Sequence, residues 1–124
     1  PTTLVVVREE KPRPGLSPEQ ILAKEGERLL AQLPRPAQII TLEVGGREYS
    51  SPELADWLAR LRQLQHPLAF IIGGHLGLAP AVLAAAQHRL SLSRLTFTHE
   101  LTRLLLLEQL YRAATIQAGH PYHY

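Results

Sequence analysis

The chain has 124 residues, 45% of them hydrophobic, a formal net charge of +2 and no cysteine. That is enough apolar content for one domain with its own core, and the lack of cysteine excludes disulfides, thiolate chemistry and cysteine-based metal sites. No apolar run approaches the ~20 residues of a membrane-spanning helix, Leu4–Val7 is too short and too soon followed by charge for a signal peptide, and the mildly basic balance is compatible with RNA without being diagnostic of it; a cytoplasmic protein is the default expectation.

Thr3–Arg8 is a short, almost continuously apolar run and reads as a buried strand. Glu9–Leu16 is a turn-rich loop carrying Lys11 and Arg13. Ser17-Pro18-Glu19-Gln20 then starts a helix, with Ser as cap, Pro in the first turn and Gln at the reciprocal capping position. Helical spacing continues through Ile21, Leu22, Glu25, Leu29 and Leu30 to Leu33, and Pro34 with Pro36 ends it. Ala37–Val44 is a second strand, closed on this reading by Gly45-Gly46. Ser50 or Ser51 caps a second helix with Leu54, Trp57, Leu58, Leu61 and Leu64 on its apolar face.

Pro67–Ile72 is a third strand running into Gly73-Gly74, and a short Ala-rich helix follows from about Pro80 to Gln87. Arg89–Phe97 alternates polar and apolar residues and reads as a fourth strand. Thr98 caps the last helix, which runs to about Ala118 before Gly119 and Pro121 stop it. Its apolar residues, from Leu101 to Ile116 and including Leu106 and Leu107, cover nearly the whole circumference. Such a helix has to be buried on several sides, by its own domain, a second copy, or both.

Strand then helix, four times over with short joins, predicts a single α/β domain over residues 1–124, with a mostly parallel sheet and helices on both faces. In such sheets ligands bind beyond the carboxyl ends of the strands, here the loops after Val44, Ile72 and Phe97. The turn Gly73-Gly74-His75-Leu76-Gly77 lacks the spacing of a dinucleotide fingerprint or a phosphate loop. Tight-turn packing and close approach to a ligand are both open at that spacing. His75, His99, His120 and His123 have neither an HExxH pattern nor a cysteine partner, and no metal site is expected. Ser91 and Ser93 have no nucleophile elbow around them. Glu108 and Arg112, four apart, are placed to pair along the last helix.

Three blocks carry a resemblance: KEGERLL in the first helix, IIGG-x-x-GL-x-P at the third strand, and SLS-x-LT-x-x-H-x-L-x-R…E-x-LYRA…HPYH at the end. Together they resemble the large-subunit ribosomal RNA methyltransferase H family of the SPOUT class. The resemblance implies a carboxy-terminal trefoil knot, in which the end of the chain threads through an earlier loop. It also implies a homodimer that binds S-adenosylmethionine in the knot cleft and methylates N3 of a pseudouridine in large-subunit rRNA.

Carried onto this chain, the cofactor contacts fall on Leu42, Gly73, Leu92, Ser93, Arg94, Leu95, Thr96 and Phe97. Candidates for the catalytic base are His123, Tyr122 and Glu108, and candidates for RNA contact are Arg103, His120, Tyr122 and His123. The expected departures from the family pattern are four: the family's strand and helix ahead of the segment equivalent to Thr3–Arg8 have no counterpart in this sequence, its GGPEG loop is here GGHLG, the final tail position, often Arg, is Tyr124, and the loop after the first strand carries fewer basic residues. Two readings follow, a working rRNA methyltransferase or a truncated or catalytically silent knotted dimer that binds the cofactor weakly or not at all.

Overall fold

The structure, a computed structural model, describes residues 2–6, 15–73 and 77–123; of residues 2–6 and His123 only the backbone is described. Residues 9–14 of the expected loop Glu9–Leu16, positions 74–76 of the glycine turn and Tyr124 lie outside the described residues. The elements are β1 (Thr2–Val6), α1 (Pro18–Gln32), β2 (Gln38–Glu48), α2 (Ser51–Arg62), β3 (Leu68–Ile72), α3 (Pro80–Ala85), β4 (His88–Ser91) and α4 (His99–Ala118), with a 3-10 turn at Pro121–His123.

All strand pairs are parallel, in the order β1-β3-β2-β4. Each strand is therefore joined to the next by a helical crossover, as parallel pairing requires. Side chains alternate between the two faces of β2 and β3. Ile40, Phe70 and Ile72 enter one core with Leu54, Leu58 and Leu61 of α2 and Leu106 and Ala113 of α4. Ala69 and Ile71 enter the other with Leu29 of α1 and Val82 of α3. The helices thus cover both faces, and β3 is buried along its whole length.

The two long helices of the first half begin where local chemistry dictates. Ser17 Oγ accepts from the Gln20 N–H while Gln20 Oε1 accepts from the Ser17 N–H. Ser50, of the two candidate serines, makes the same reciprocal pair with Glu53. Both boxes satisfy amides that a helix start leaves without partners. Those Ser50 contacts also hold the Glu53 carboxyl below its usual range.

Four expectations need correction. Gly45-Gly46 does not close β2: the strand runs on to Glu48 through a register shift between Leu42 and Arg47. A Cβ on Gly46 would fall 2.7 Å from the Leu90 carbonyl carbon, so glycine here permits β2 to press on β4 through the irregularity. The fourth strand stops at Ser91 instead of Phe97. Ser91 Oγ donates to the Ser93 carbonyl at 2.8 Å and the Leu95 N–H donates to Ser93 Oγ at 3.0 Å, local bonds that replace the ladder. Finally, α2 ends at Arg62, leaving Leu64 outside the helix and 58% exposed. The third helix also ends short of Gln87, whose N–H donates to the Ile39 carbonyl.

One packing detail makes stability pH-dependent. His88 meets the edge of the Trp57 ring at 5.5 Å, and its Nε2 lies 3.2 Å from Gln38 Oε1. Burial pushes the imidazole pKa down, so the folded state prefers the neutral ring. A depressed histidine contributes stability that is present above its unfolded pKa of about 6.5 and is lost as pH falls through that value toward the folded one. The melting temperature should therefore drop between pH 7.5 and 5, and drop less in His88→Gln. Equal pH dependence in the two proteins would remove His88 as the cause.

Candidate functional site

A cleft of about 270 Å³ opens at the carboxyl ends of β3 and β4, beside the register shift in the middle of β2. This is where β3 lies between β1 and β2 while the chain passes on to β4 at the far edge, the kind of switch point at which parallel sheets bind ligands. Leu42, Glu43 and Val44 contribute from β2, Ile72 and Gly73 from the end of β3, and Leu90 from β4. The segment after β4 forms the facing wall with Leu92, Ser93, Leu95, Thr96 and Phe97, and His99 and Thr102 of the first turn of α4 complete it. Thr98 caps that helix by accepting from the Leu101 N–H at 3.3 Å.

Of the eight residues expected around a cofactor, Leu42, Gly73, Leu92, Ser93, Leu95, Thr96 and Phe97 line this cleft. Arg94 is exposed and is not part of its wall. The wall is where the fourth strand was expected to continue: the serine bonds at 91–95 release it from the sheet and turn it over the cleft. A Cβ on Gly73 would meet the Gly77 carbonyl group at 3.0 Å and Leu78 Cγ at 3.1 Å. Glycine at 73 therefore serves the closure of its own turn, and Gly77 takes the left-handed φ of +85° that glycine tolerates.

The sequence reading missed Glu43, the carboxylate of the cleft. Its Oε2 accepts from Thr41 Oγ1 at 2.8 Å and lies 3.5 Å from Arg89 Nε. The nearest signal in the sequence is its place beside Val44, where a strand end is expected and β2 in fact runs on to Glu48. His99, weighed only as a metal ligand, also lines the cleft. Among the described residues no three His, Cys, Asp or Glu side chains come together to hold a metal ion.

The other candidates lie elsewhere. Arg112 Nε donates to Glu108 Oε1 at 2.8 Å, and this bond holds the guanidinium pKa above its usual value. The Arg112 guanidinium lies 5.0 Å from the centre of the Tyr122 ring, which meets Tyr111 edge-on at 4.7 Å. The Glu108 carboxylate thus orients Arg112, and Arg112 with Tyr111 seats Tyr122 on the last turns of α4. Neither Glu108 nor Tyr122 lines the cleft. At about 1.5 Å of rise per residue, Tyr111 is roughly 18 Å along the helix from His99. Arg103 and His120 are exposed, the His120 N–H donating to the Thr115 carbonyl beside the left-handed Gly119 cap. The His123 side chain is outside the described residues.

Chemically the cleft joins apolar walls to a few polar groups: Glu43, Ser93, Thr96, His99, Thr102 and the main chain of its loops. That suits a flat heterocycle with hydroxyls and a positive centre better than a phosphate, since no Lys or Arg lines it among the described residues.

A family model described as "Predicted SPOUT methyltransferase" matches residues 1–123. Among curated relatives, a "Ribosomal RNA large subunit methyltransferase H" of Gloeobacter violaceus is 52% identical over 103 residues, covering 83% of this chain and 67% of the relative. Proteins of the same name from Gemmatimonas aurantiaca and Geotalea daltonii are 43% and 46% identical, over 99% and 98% of this chain. The chain covers 79% and 78% of those two relatives.

Proposed function

The chain belongs to the SPOUT methyltransferase family, and on that premise we propose that it is an S-adenosylmethionine-dependent methyltransferase of large-subunit rRNA, with N3 of a pseudouridine as the target. The observation that carries the reading is the cleft. Seven of the residues that a methyltransferase of this kind would set around its cofactor line one cavity at the carboxyl ends of β3 and β4 and the mid-strand irregularity of β2.

The residues present fit that cofactor. Leu42, Leu92 and Phe97 supply apolar surface for adenine, the 92–97 main chain supplies hydrogen-bonding groups for its edge, and Glu43 supplies an acceptor for ribose hydroxyls or a counter-charge for the sulfonium. When bound, S-adenosylmethionine supplies an electrophilic methyl group. The chain's own part is to hold the target base in line, exclude water and remove the N3 proton. His123 and Tyr122 are the candidates for that proton transfer, and Glu108, bonded to Arg112, acts through Arg112 on the seating of Tyr122. Arg103 and His120, both exposed, are the candidates for RNA contact.

Tail and cleft occupy opposite ends of α4. The tail of one chain therefore reaches a cleft by crossing to a second copy, which supports a homodimer whose interface runs along α4. Leu101, Leu104, Leu107 and Tyr111 form an apolar stripe there, between 41% and 63% exposed. The trefoil knot belongs to the same reading, with the 92–97 segment as part of the threaded region. So does a cytoplasmic location, where the ribosome is; no helix among the described residues is long and apolar enough to cross a membrane.

Titration calorimetry with S-adenosylmethionine, followed by methyl transfer to ribosomes lacking the modification, tests the proposal in two steps. Binding with transfer supports it. Binding without transfer leaves a silent relative, and absence of binding removes the cofactor assignment.

A further inference from the structure

We propose that Glu43 recognises the sugar of the cofactor, one of its carboxylate oxygens accepting from the vicinal ribose diol, and that it does not serve the sulfonium. The proposal rests on the cofactor reading above, which leaves both roles open to Glu43. Glu43 lines the large cleft, its side chain 24% exposed. Thr41, two positions earlier and fully buried, donates its hydroxyl to Glu43 Oε2 at 2.8 Å. Arg89 Nε of β4 lies 3.5 Å from the same oxygen. Oε2 is thus held from two sides, whereas Oε1 makes no hydrogen bond among the described residues. An ionised carboxylate only accepts, so what Oε1 can take from a ligand is a donor.

The sheet delivers this group to the cleft by interrupting its own ladder. Leu42 and Arg47 both face Leu90 of β4, so residues 43–46 have no register partner there. Thr41, still in register with Arg89, belongs to the regular part of the pair, and Glu43 opens the irregular part. The carboxylate is therefore anchored on the sheet and presented at its interruption. An acceptor fixed on one oxygen by a buried hydroxyl keeps its direction, which is what reading a hydroxyl demands and attracting a charge does not. Charge points the same way. A sulfonium carries no hydrogen on sulfur, so its attraction to a carboxylate is Coulombic alone. Arg89 already balances the charge of Glu43, and its guanidinium repels a second cation brought to the same carboxylate. A diol is neutral, meets no such repulsion, and donates to the carboxylate in charge-assisted hydrogen bonds.

The test is calorimetry on the full chain with S-adenosylmethionine, S-adenosylhomocysteine and the 2′,3′-dideoxy form of the latter. The unmutated chain should bind S-adenosylhomocysteine at least about tenfold more tightly than the dideoxy form, the scale of hydrogen bonds to a charged acceptor. Glu43→Ala should weaken S-adenosylmethionine and S-adenosylhomocysteine by the same factor, at least about tenfold, and leave the dideoxy form unchanged. A loss confined to S-adenosylmethionine assigns Glu43 to the sulfonium and overturns the proposal. An equal loss for all three ligands overturns it as well, being the mark of a residue that shapes the cleft without touching the diol. Unchanged affinities put Glu43 outside the contact altogether. If the unmutated chain binds none of the three, the cofactor reading itself fails and this proposal with it, whereas binding with the wrong pattern defeats the proposal alone. Should Glu43→Ala not fold, Glu43→Gln carries the comparison: the preference for the diol should fall at least about threefold, and a wild-type preference is decisive against Glu43.

Discussion

In the proposed homodimer, Leu104→Asp should turn dimer to monomer in sedimentation while leaving the melting temperature of the chain itself little changed. Leu104 is 63% exposed in the single chain and lies in the stripe with Leu101, Leu107 and Tyr111. Burying a large aliphatic side chain contributes about 1.5–3 kcal/mol. A two-fold interface contains each residue twice, so roughly 3–6 kcal/mol is at stake, about two to four orders of magnitude in the dissociation constant. An aspartate adds the desolvation of two charges to that loss. Leu106, two positions on, is the wrong residue for this experiment. It is fully buried within the chain's own core, and Leu106→Asp would unfold the monomer before reporting on association. A Leu104→Asp protein that sediments as a dimer with unaltered affinity would take α4 out of the interface.

That contrast shows what the chain discloses by itself. A helix apolar on all sides reads as one buried on all sides, but periodicity alone does not say which of those sides its own core covers. The division appears only when α4 is laid on α2 and the sheet, with Leu106 and Ala113 inward and Leu101, Leu104, Leu107 and Tyr111 outward.

Features set within three or four residues were legible. The capping box at Ser17–Gln20 marked the start of α1, the start of α2 was legible to within one residue at Ser50 or Ser51, and β3 was readable as a continuous apolar run because it is covered on both faces. Features that depend on a neighbour were not. Gly45-Gly46 reads as a strand end, and only the Leu90 backbone pressed against Gly46 reveals a bulge that lets β2 continue. Arg89–Phe97 alternates like a strand, yet Ser91 and Ser93 bond locally and turn its second half into the cleft wall. The cleft's position was legible from strand order. Its carboxylate, Glu43, was hidden because a lone acid beside an expected strand end has no spacing that marks it.

Deleting residues 120–124 should lower methylation of unmodified ribosomes by at least about a hundredfold, the scale of losing a group that moves a proton. The same deletion should cost little folding stability. Helix α4 keeps its own termination, because the Gly119 N–H donates to the Ile116 carbonyl within the retained chain. What is lost from the described contacts is the His120 bond to the Thr115 carbonyl and the seat of Tyr122 on Tyr111 and Arg112. An aromatic pair of that kind contributes about 0.5–1.5 kcal/mol, and Tyr122 is 44% exposed, which reduces it further. Affinity for S-adenosylmethionine should change by no more than a few fold, since no described tail residue lines the cleft. Tyr122→Phe refines the result: it keeps the ring on Arg112 and removes only the hydroxyl. A large loss in the deletion with near-normal activity in Tyr122→Phe would direct attention to His123. If the deletion unfolds the chain, the tail is structural and the proposed chemistry at its end is wrong. If the intact chain binds cofactor normally and leaves unmodified ribosomes unmethylated, the tail has no transfer to support, and the protein is a cofactor-binding relative without the family's reaction.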